Sequence, residues 1–245
     1  MRDGTIPAAA LLRTVLFAGL FAGLMLAAFN LAVSDRFVDR AVQWEERYAS
    51  DAGGHEDVFT RREQKAGLVV GELFFGLMAT AVFGGVFALT YGHLPGATLR
   101  AKVTALVVIA FVAAFLVPFA KYPAQPPGIG EPDTVYQRQG LYVAVLALSL
   151  LGAVVTLRLW RACKGRPLRR AAVVCGYVAW VAALLLLFPG NPDPAVDFPA
   201  RLLWEFRIAS IAGQAVFWAA LAFGFGSFME RFAGAEGRSA WDAAG

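Results

Sequence analysis

The chain alternates between long unbroken apolar runs and short polar connections. It has neither the i, i+3, i+4 stripe of a soluble amphipathic helix nor the strict alternation of a half-buried strand. Six runs suffice to cross a hydrocarbon core about 30 Å thick, which takes roughly 20 helical residues. They are Thr14–Val33, Ala66–Tyr91, Val103–Phe119, Gly140–Leu159, Ala171–Phe188 and Ile208–Phe228. The third and fifth are short, and each runs into proline-bearing sequence, Pro118 with Pro123 and Pro189 with Pro192. That predicts spans that tilt little or stop just inside the interface. Transmembrane β-strands would alternate in segments of about ten residues, and no such segment occurs. The first run follows Arg2, but its apolar core after Arg13 exceeds a signal-peptide core of about 7–15 residues and no small-x-small cleavage site follows, so it is read as a helix. The pattern therefore predicts an all-α integral membrane protein of about six transmembrane helices. It forms a single polytopic domain over residues 1–245, with an acidic outer loop at 34–65 and a Pro-rich outer loop at 120–138.

Composition narrows the class. Hydrophobic residues make up 58% and charged residues 16% of the chain, against about 25% charged in a soluble domain. That excludes a disordered chain, a disulfide-stapled secreted domain and an ordinary cytosolic enzyme. The net charge of +4 comes from basic residues gathered at the ends of apolar runs, a mark of membrane orientation rather than of nucleic-acid binding. The termini and even-numbered loops hold 12 Lys and Arg and the other side holds 10, so the total barely discriminates. The fourth loop decides: Arg158, Arg161, Lys164, Arg166, Arg169 and Arg170 stand there without an acid. By the positive-inside rule both termini are cytoplasmic and the chain is a multi-pass protein of the cell's inner (cytoplasmic) membrane. Cys163 then lies in a reducing compartment and Cys175 in lipid, so no structural disulfide is expected.

Candidate chemistry follows the same division. The outer segment from Ser34 to Lys65 carries Asp35, Asp39, Glu45, Glu46, Asp51 and Glu63 besides the run His55-Glu56-Asp57. Its start, Asp35–Tyr48, is expected to form a helix beyond the membrane that Gly53 and Gly54 break. An imidazole beside two carboxylates offers mixed N and O ligands suited to Co(II), Ni(II) or Zn(II), while a solvated acidic loop is the simpler reading. His93, at the cytoplasmic end of the second span, is a candidate exit-side ligand. The two histidines lie on opposite sides, which excludes them as axial ligands of one haem. Glu72 is the notable ionisable residue within a span, roughly 9 Å below the outer end if the helix starts at Ala66. A carboxylate at that depth is costly unless it faces protein, water or a cation, so it is placed on an ion path, with snorkelling or pairing to an Arg as the alternative. Asn30, Ser210 and Gln214 fall at similar depth and are expected to line an outward vestibule with Glu72, or else to serve ordinary interhelical hydrogen bonding.

Small residues speak to packing. Gly19 with Gly23, and Gly67 with Gly71, are four apart and would let helices approach closely, while Gly84-Gly85 and Gly224 with Gly226 thin the second and sixth helices. The stretch Lys121–Pro132 contains Pro123, Pro126, Pro127 and Pro132 with Gly128 and Gly130, a stiff segment able to fold back. Pro126, Pro127 and Glu131 are read there as gate elements, with a rigid linker as the plain alternative. Spans three and five both leave through Pro-rich sequence followed by an Arg, Arg138 or Arg207, a weak echo of a parallel hairpin repeat.

The run Pro118–Gly130 resembles the post-helix segment of CbtA-type predicted cobalt transporter subunits. The Gly19–Gly23 pattern, the His-acid cluster of the first outer loop, and a last span opening with Phe206-Arg207 and closing with Met229-Glu230-Arg231 agree. The resemblance implies uptake of Co(II) for corrinoid synthesis. It also implies a small single-span CbtB-type partner whose His-rich tail supplies metal ligands.

These features admit three functional classes. The leading one is a membrane permease subunit for a divalent transition metal, with cobalt(II) as the transported ion, no tightly bound cofactor, metal contacts at His55, Glu56, Asp57, Glu72 and His93, and homo-oligomerisation left open. The second is a non-transporting scaffold or assembly subunit of another membrane complex. An intramembrane enzyme would need paired catalytic groups in the spans, and only Glu72 is there. No G-x-x-x-x-G-K-[ST] motif occurs, so energy must come from the membrane potential, an ion gradient or a partner.

Overall fold

The computed structural model describes residues 6–49, 59–126, 129–163, 166–193 and 198–242, the side chains of 45–49 and 235–242 excepted. Among the described residues there is no strand, and six helices are long and apolar enough to cross a membrane. Helix α1 (Ala8–Phe29) passes through a π-helical turn at Asn30–Ser34 into α2 (Asp35–Ala49), and α3 spans Arg61–Thr90. Helix α4 (Leu99–Ala110) continues through a π-helical stretch, Phe111–Leu116, into α5 (Val117–Lys121). Helices α6 (Val135–Ala162), α7 (Pro167–Leu187) and α8 (Ala200–Asp242) follow.

The helices overrun the apolar runs that predict them because hydropathy sees only the lipid-facing length. Thr60 caps α3: its hydroxyl accepts from the Glu63 N–H, and the Glu63 carboxylate accepts from the Thr60 N–H at 2.7 Å. That capping box starts the helix five residues before the apolar run. The expected helix beyond the first span exists as α2, but it continues α1 rather than standing apart from it. Pro118 does not end its span. The Val117 N–H bonds to the Val112 carbonyl, and this widened turn just before the proline makes room for a ring that would clash with the preceding turn of a regular helix.

The chain divides into two compact units, Met1–Val107 with Ile208–Gly245, and Val108–Arg207. In the first, α1 and α3 run antiparallel in very close contact. A Cβ added to Gly23 would lie 2.5 Å from the Glu72 carbonyl oxygen, and one on Gly76 would meet the Gly19 carbonyl and the Gly23 backbone. The Gly19–Gly23 pair thus packs as its spacing predicts, with Gly76 as its partner. Gly67 and Gly71 do not: open space surrounds both, because they sit on a face of α3 turned away from α1. Behind the glycine contact, Phe83, Phe87 and Phe225 form an edge-on aromatic cluster with ring centroids 5.0 and 5.2 Å apart. On the opposite side of α3, Phe74, Met78 and Val82 are each about two-thirds exposed at four-residue spacing, the face offered to lipid.

In the second unit α6 and α7 form a hairpin with α5 packed against both. Its two Pro-rich loops, after α5 and after α7, are tied together through Asp193. The Asp193 carboxylate accepts from the Thr134 hydroxyl and from the Glu131 N–H at 3.2 Å, and pairs with Arg138 Nε at 3.3 Å. The Gln125 amide donates to the Asp193 carbonyl at 2.9 Å, and the Arg207 guanidinium to the Ala124 carbonyl at 3.3 Å. Gly130 sits at φ +109°, where an L side chain is strained, and a Cβ there would collide with the Arg138 guanidinium. Tyr122 donates to the Pro189 carbonyl at 2.9 Å, and partial burial pushes its phenol above the ordinary range.

Candidate functional site

Glu72 lies eleven residues into α3, about 16 Å along the helix at 1.5 Å per residue. It is half-buried, and the structure gives it a specific partner. Asn30 Nδ2 donates to Glu72 Oε1 at 2.7 Å, and Asn30 Oδ1 in turn accepts from the Ser34 hydroxyl at 2.9 Å. Local backbone geometry makes this possible. Asn30 opens the π turn, in which the Asp35 N–H reaches back to the Asn30 carbonyl, and the extra residue in the turn re-aims the side chains that follow. The close glycine contact one to two turns away holds α1 against α3, so that the short Asn30 side chain reaches the carboxylate. Among the described residues no Lys or Arg pairs with Glu72, and Oε2 has no protein donor.

Further along the same helix pair the acids are neutralised. Asp35 is paired with Lys65 at 2.7 Å and with Arg61 at 3.1 Å, and Arg61 also binds Asp39. Asp35 and Asp39, counted from sequence among the acids of the outer segment, therefore already hold cations of the protein. Glu63 is taken up by the Thr60 cap, which leaves Glu72 as the acid inside the apolar run of α3 that has no cationic partner among the described residues. A carboxylate oxygen, the Asn30 amide oxygen and the Ser34 hydroxyl are hard oxygen donors within one hydrogen-bonded chain, a set compatible with a divalent cation that keeps part of its hydration.

Two predicted neighbours of Glu72 fare differently. Helix α8 does approach, but through Gly213: a Cβ there would lie 3.2 Å from Asn30 Oδ1. Gln214, the next residue, is half-buried and forms no hydrogen bond with Asn30 or Glu72, and Ser210 stands one turn earlier on the same helix. His93 is exposed in the 3₁₀ turn Tyr91–His93, twenty-one residues beyond Glu72 and hence about 30 Å away along the helix. His55, Glu56, Asp57 and Pro127 lie outside the described residues. Pro126 and Glu131 belong to the second unit. Pro126 is buried, whereas the Glu131 side chain is exposed and the residue acts through its backbone, its carbonyl accepting from Thr134 at 2.9 Å and Arg138 at 3.2 Å. Among the described residues no cluster of three or more His, Cys, Asp or Glu side chains is arranged to hold a metal ion.

Sequence reasoning missed Ser34, the π turn and the role of Asp193. A π turn has no composition signature, and Asp193 looks from sequence like any loop acid. The proline two residues after the Phe111–Leu116 stretch is the nearest thing to a signal for either helix irregularity.

Fold and site together define a polytopic all-helical membrane protein with an uncompensated acid inside a span, an arrangement typical of ion-handling membrane proteins. The chain belongs to the CbtA family, described as a probable cobalt transporter subunit, whose model matches residues 8–230. No curated protein and no solved structure matches it. Membership makes it a multi-pass membrane protein of a cobalt-transport family, in agreement with the resemblance seen in its Pro-rich segment.

Proposed function

We propose that the chain is the permease subunit of an uptake system for a divalent transition metal, with cobalt(II) as its substrate. The observation that carries the reading is Glu72: a half-buried carboxylate in a span, oriented by Asn30 and free of any cationic partner among the described residues. A cation arriving there offsets the cost of burying the carboxylate, and the carboxylate replaces part of the ion's lost hydration. Asn30 keeps the carboxylate fixed whether or not an ion is present, and Ser34 fixes Asn30. An inside-negative potential favours inward movement by about 2.3 kcal/mol per charge per 100 mV.

The proposal extends to the parts around this site. His55, Glu56 and Asp57 raise the local ion concentration outside, His93 receives the ion on release, and Gln214, Pro126, Pro127 and Glu131 border the path or gate it. The chain forms one polytopic domain in the inner membrane with both termini cytoplasmic, and a single-span CbtB-type subunit with a His-rich tail is its partner. The family's description as a subunit supports a partner. No enzymatic step and no resident cofactor enter this reading.

The test is radiolabelled cobalt uptake in cells expressing wild-type or Glu72→Gln protein, normalised to protein in the membrane. Loss of uptake with normal membrane abundance supports the proposal. Full uptake by the Gln variant removes Glu72 from the path and leaves the scaffold reading in its place.

A further inference from the structure

The α6–α7 hairpin ends in a concentration of positive charge that no acid among the described residues of its own unit answers. Arg158 and Arg161 close α6, while Arg166, Arg169 and Arg170 open α7. The sequence contains no Asp or Glu between Asp133 and Asp193. Arg170 lies over the Trp160 ring at 5.1 Å, which holds its guanidinium at the hairpin end. The Nε atoms of Arg161 and Arg170 are buried without a hydrogen-bond partner among the described residues. Burial of Nε fixes the stem of each guanidinium, and the terminal amino groups, which are not buried and carry no hydrogen bond among the described residues, are left to take an anion with several oxygens. The first turn of α7 adds to the same field, since it has neither a capping side chain nor an acidic residue.

Directly beneath these arginines, α6 and α7 leave an apolar groove of about 460 Å³. Its walls run from Leu159 and Ala172, next to the charged end, to Leu151 and Trp180. Eight residues of α6 separate Leu159 from Leu151, a run of about 12 Å toward the membrane interior. Trp180 closes the far end, its indole N–H donating to the Leu148 carbonyl at 3.1 Å. Gly176 forms part of the wall and has open space where a side chain would stand. A cationic mouth above a narrow apolar slot matches a molecule with an anionic phosphodiester at one end and a hydrocarbon chain at the other.

We propose that this hairpin is a binding site for an anionic phospholipid. Its phosphodiester is held by Arg161 and Arg170, and one acyl chain lies in the groove past Gly176. Both halves of the lipid are recognised, so neither a zwitterionic lipid nor free phosphate substitutes for it. The headgroup interaction follows the strength of basic groups at anionic membrane surfaces, and it is local to this unit.

The test uses the full chain purified in a neutral detergent, with native mass spectrometry and thermal unfolding as readouts. Phosphatidylglycerol, phosphatidylcholine and inorganic phosphate are added separately. Phosphatidylglycerol is expected to bind saturably and raise the unfolding midpoint, with the other two having little effect. Removing two phosphate-facing arginines in the R161Q/R170Q variant should weaken phosphatidylglycerol about 30-fold. Gly176→Leu keeps every charge and fills the slot, so it should weaken the same lipid while leaving helicity unchanged. Equal binding of phosphatidylcholine overturns the headgroup assignment. Stabilisation by inorganic phosphate equal to that by the lipid, or a Gly176→Leu variant that binds the lipid as wild type does, overturns the acyl-chain assignment.

Discussion

Asn30 donates to Glu72 across the α1–α3 contact at 2.7 Å, from the first residue of a π turn. The bond joins an irregularity in one helix to the one acid within the other's apolar run. A regular helix at this point would present a different face after Phe29, so the turn and the carboxylate belong to one arrangement.

Glu72→Gln removes the charge and keeps the shape. Cobalt accumulation should fall to background while the amount of protein in the membrane stays unchanged, because a neutral amide is cheaper to bury than an acid. Glu72→Asp, shorter by one methylene, should retain part of the activity. Uptake measured against immunoblotted membrane protein separates loss of transport from loss of folding.

Asn30→Ala leaves the carboxylate in place and removes the group that orients it. Uptake should drop less than in Glu72→Gln and show mainly a higher half-saturating cobalt concentration. A hydrogen bond to a charged group is worth about 1.5–3 kcal/mol, so a shift of about tenfold or more is expected. A concentration series of labelled cobalt gives the answer, and an unchanged curve would sink the orienting role.

Gly23→Val tests the contact that brings the pair together. The added side chain has no room beside the Glu72 carbonyl, and overpacking of this kind costs about 1–3 kcal/mol. The expected outcome is a lower thermal midpoint of the purified protein together with lost uptake. Gly71→Val, on the open face, should change neither.

Asp193 is the tie between the two Pro-rich loops, accepting from the Thr134 hydroxyl and the Glu131 N–H and pairing with Arg138. Asp193→Ala leaves the Glu131 N–H without its acceptor and Arg138 without its carboxylate, while the Thr134 hydroxyl keeps the Glu131 carbonyl; the loss is about 1–3 kcal/mol. Limited proteolysis should then cut within 122–134 faster than in the wild type, and equal rates would show that the loops are held by other contacts.

The side assignments and the first outer loop are open to direct measurement. A reporter fused after Gly245 should read cytoplasmic and one inserted near Gly53 external, since moving the six basic residues of the fourth loop outward opposes the insertion bias. Replacing His55, Glu56 and Asp57 together by Ala should reduce uptake at limiting cobalt and leave it unchanged at saturation. Unchanged uptake at both concentrations would reduce the cluster to a solvated face.

The sequence by itself determined that the chain is helical and able to span a membrane six times, because burial in lipid demands long apolar runs whatever the helices do with one another. It also exposed Glu72, since a single acid inside such a run stands out against its surroundings. Hydropathy could not set the start of α3 at Arg61, which lies in polar sequence and depends on the Thr60 cap. Nor could it tell Gly19 and Gly23, which touch Gly76, from Gly67 and Gly71, which face open space: all four have the same spacing, and only the rotation of α3 about its axis distinguishes them. The same holds for Asn30, Ser34 and Asp193. Their types and positions were visible, but their partners lie in other helices or loops, and a hydrogen bond made across 42 residues of chain exists only once packing has set the distance and the angle.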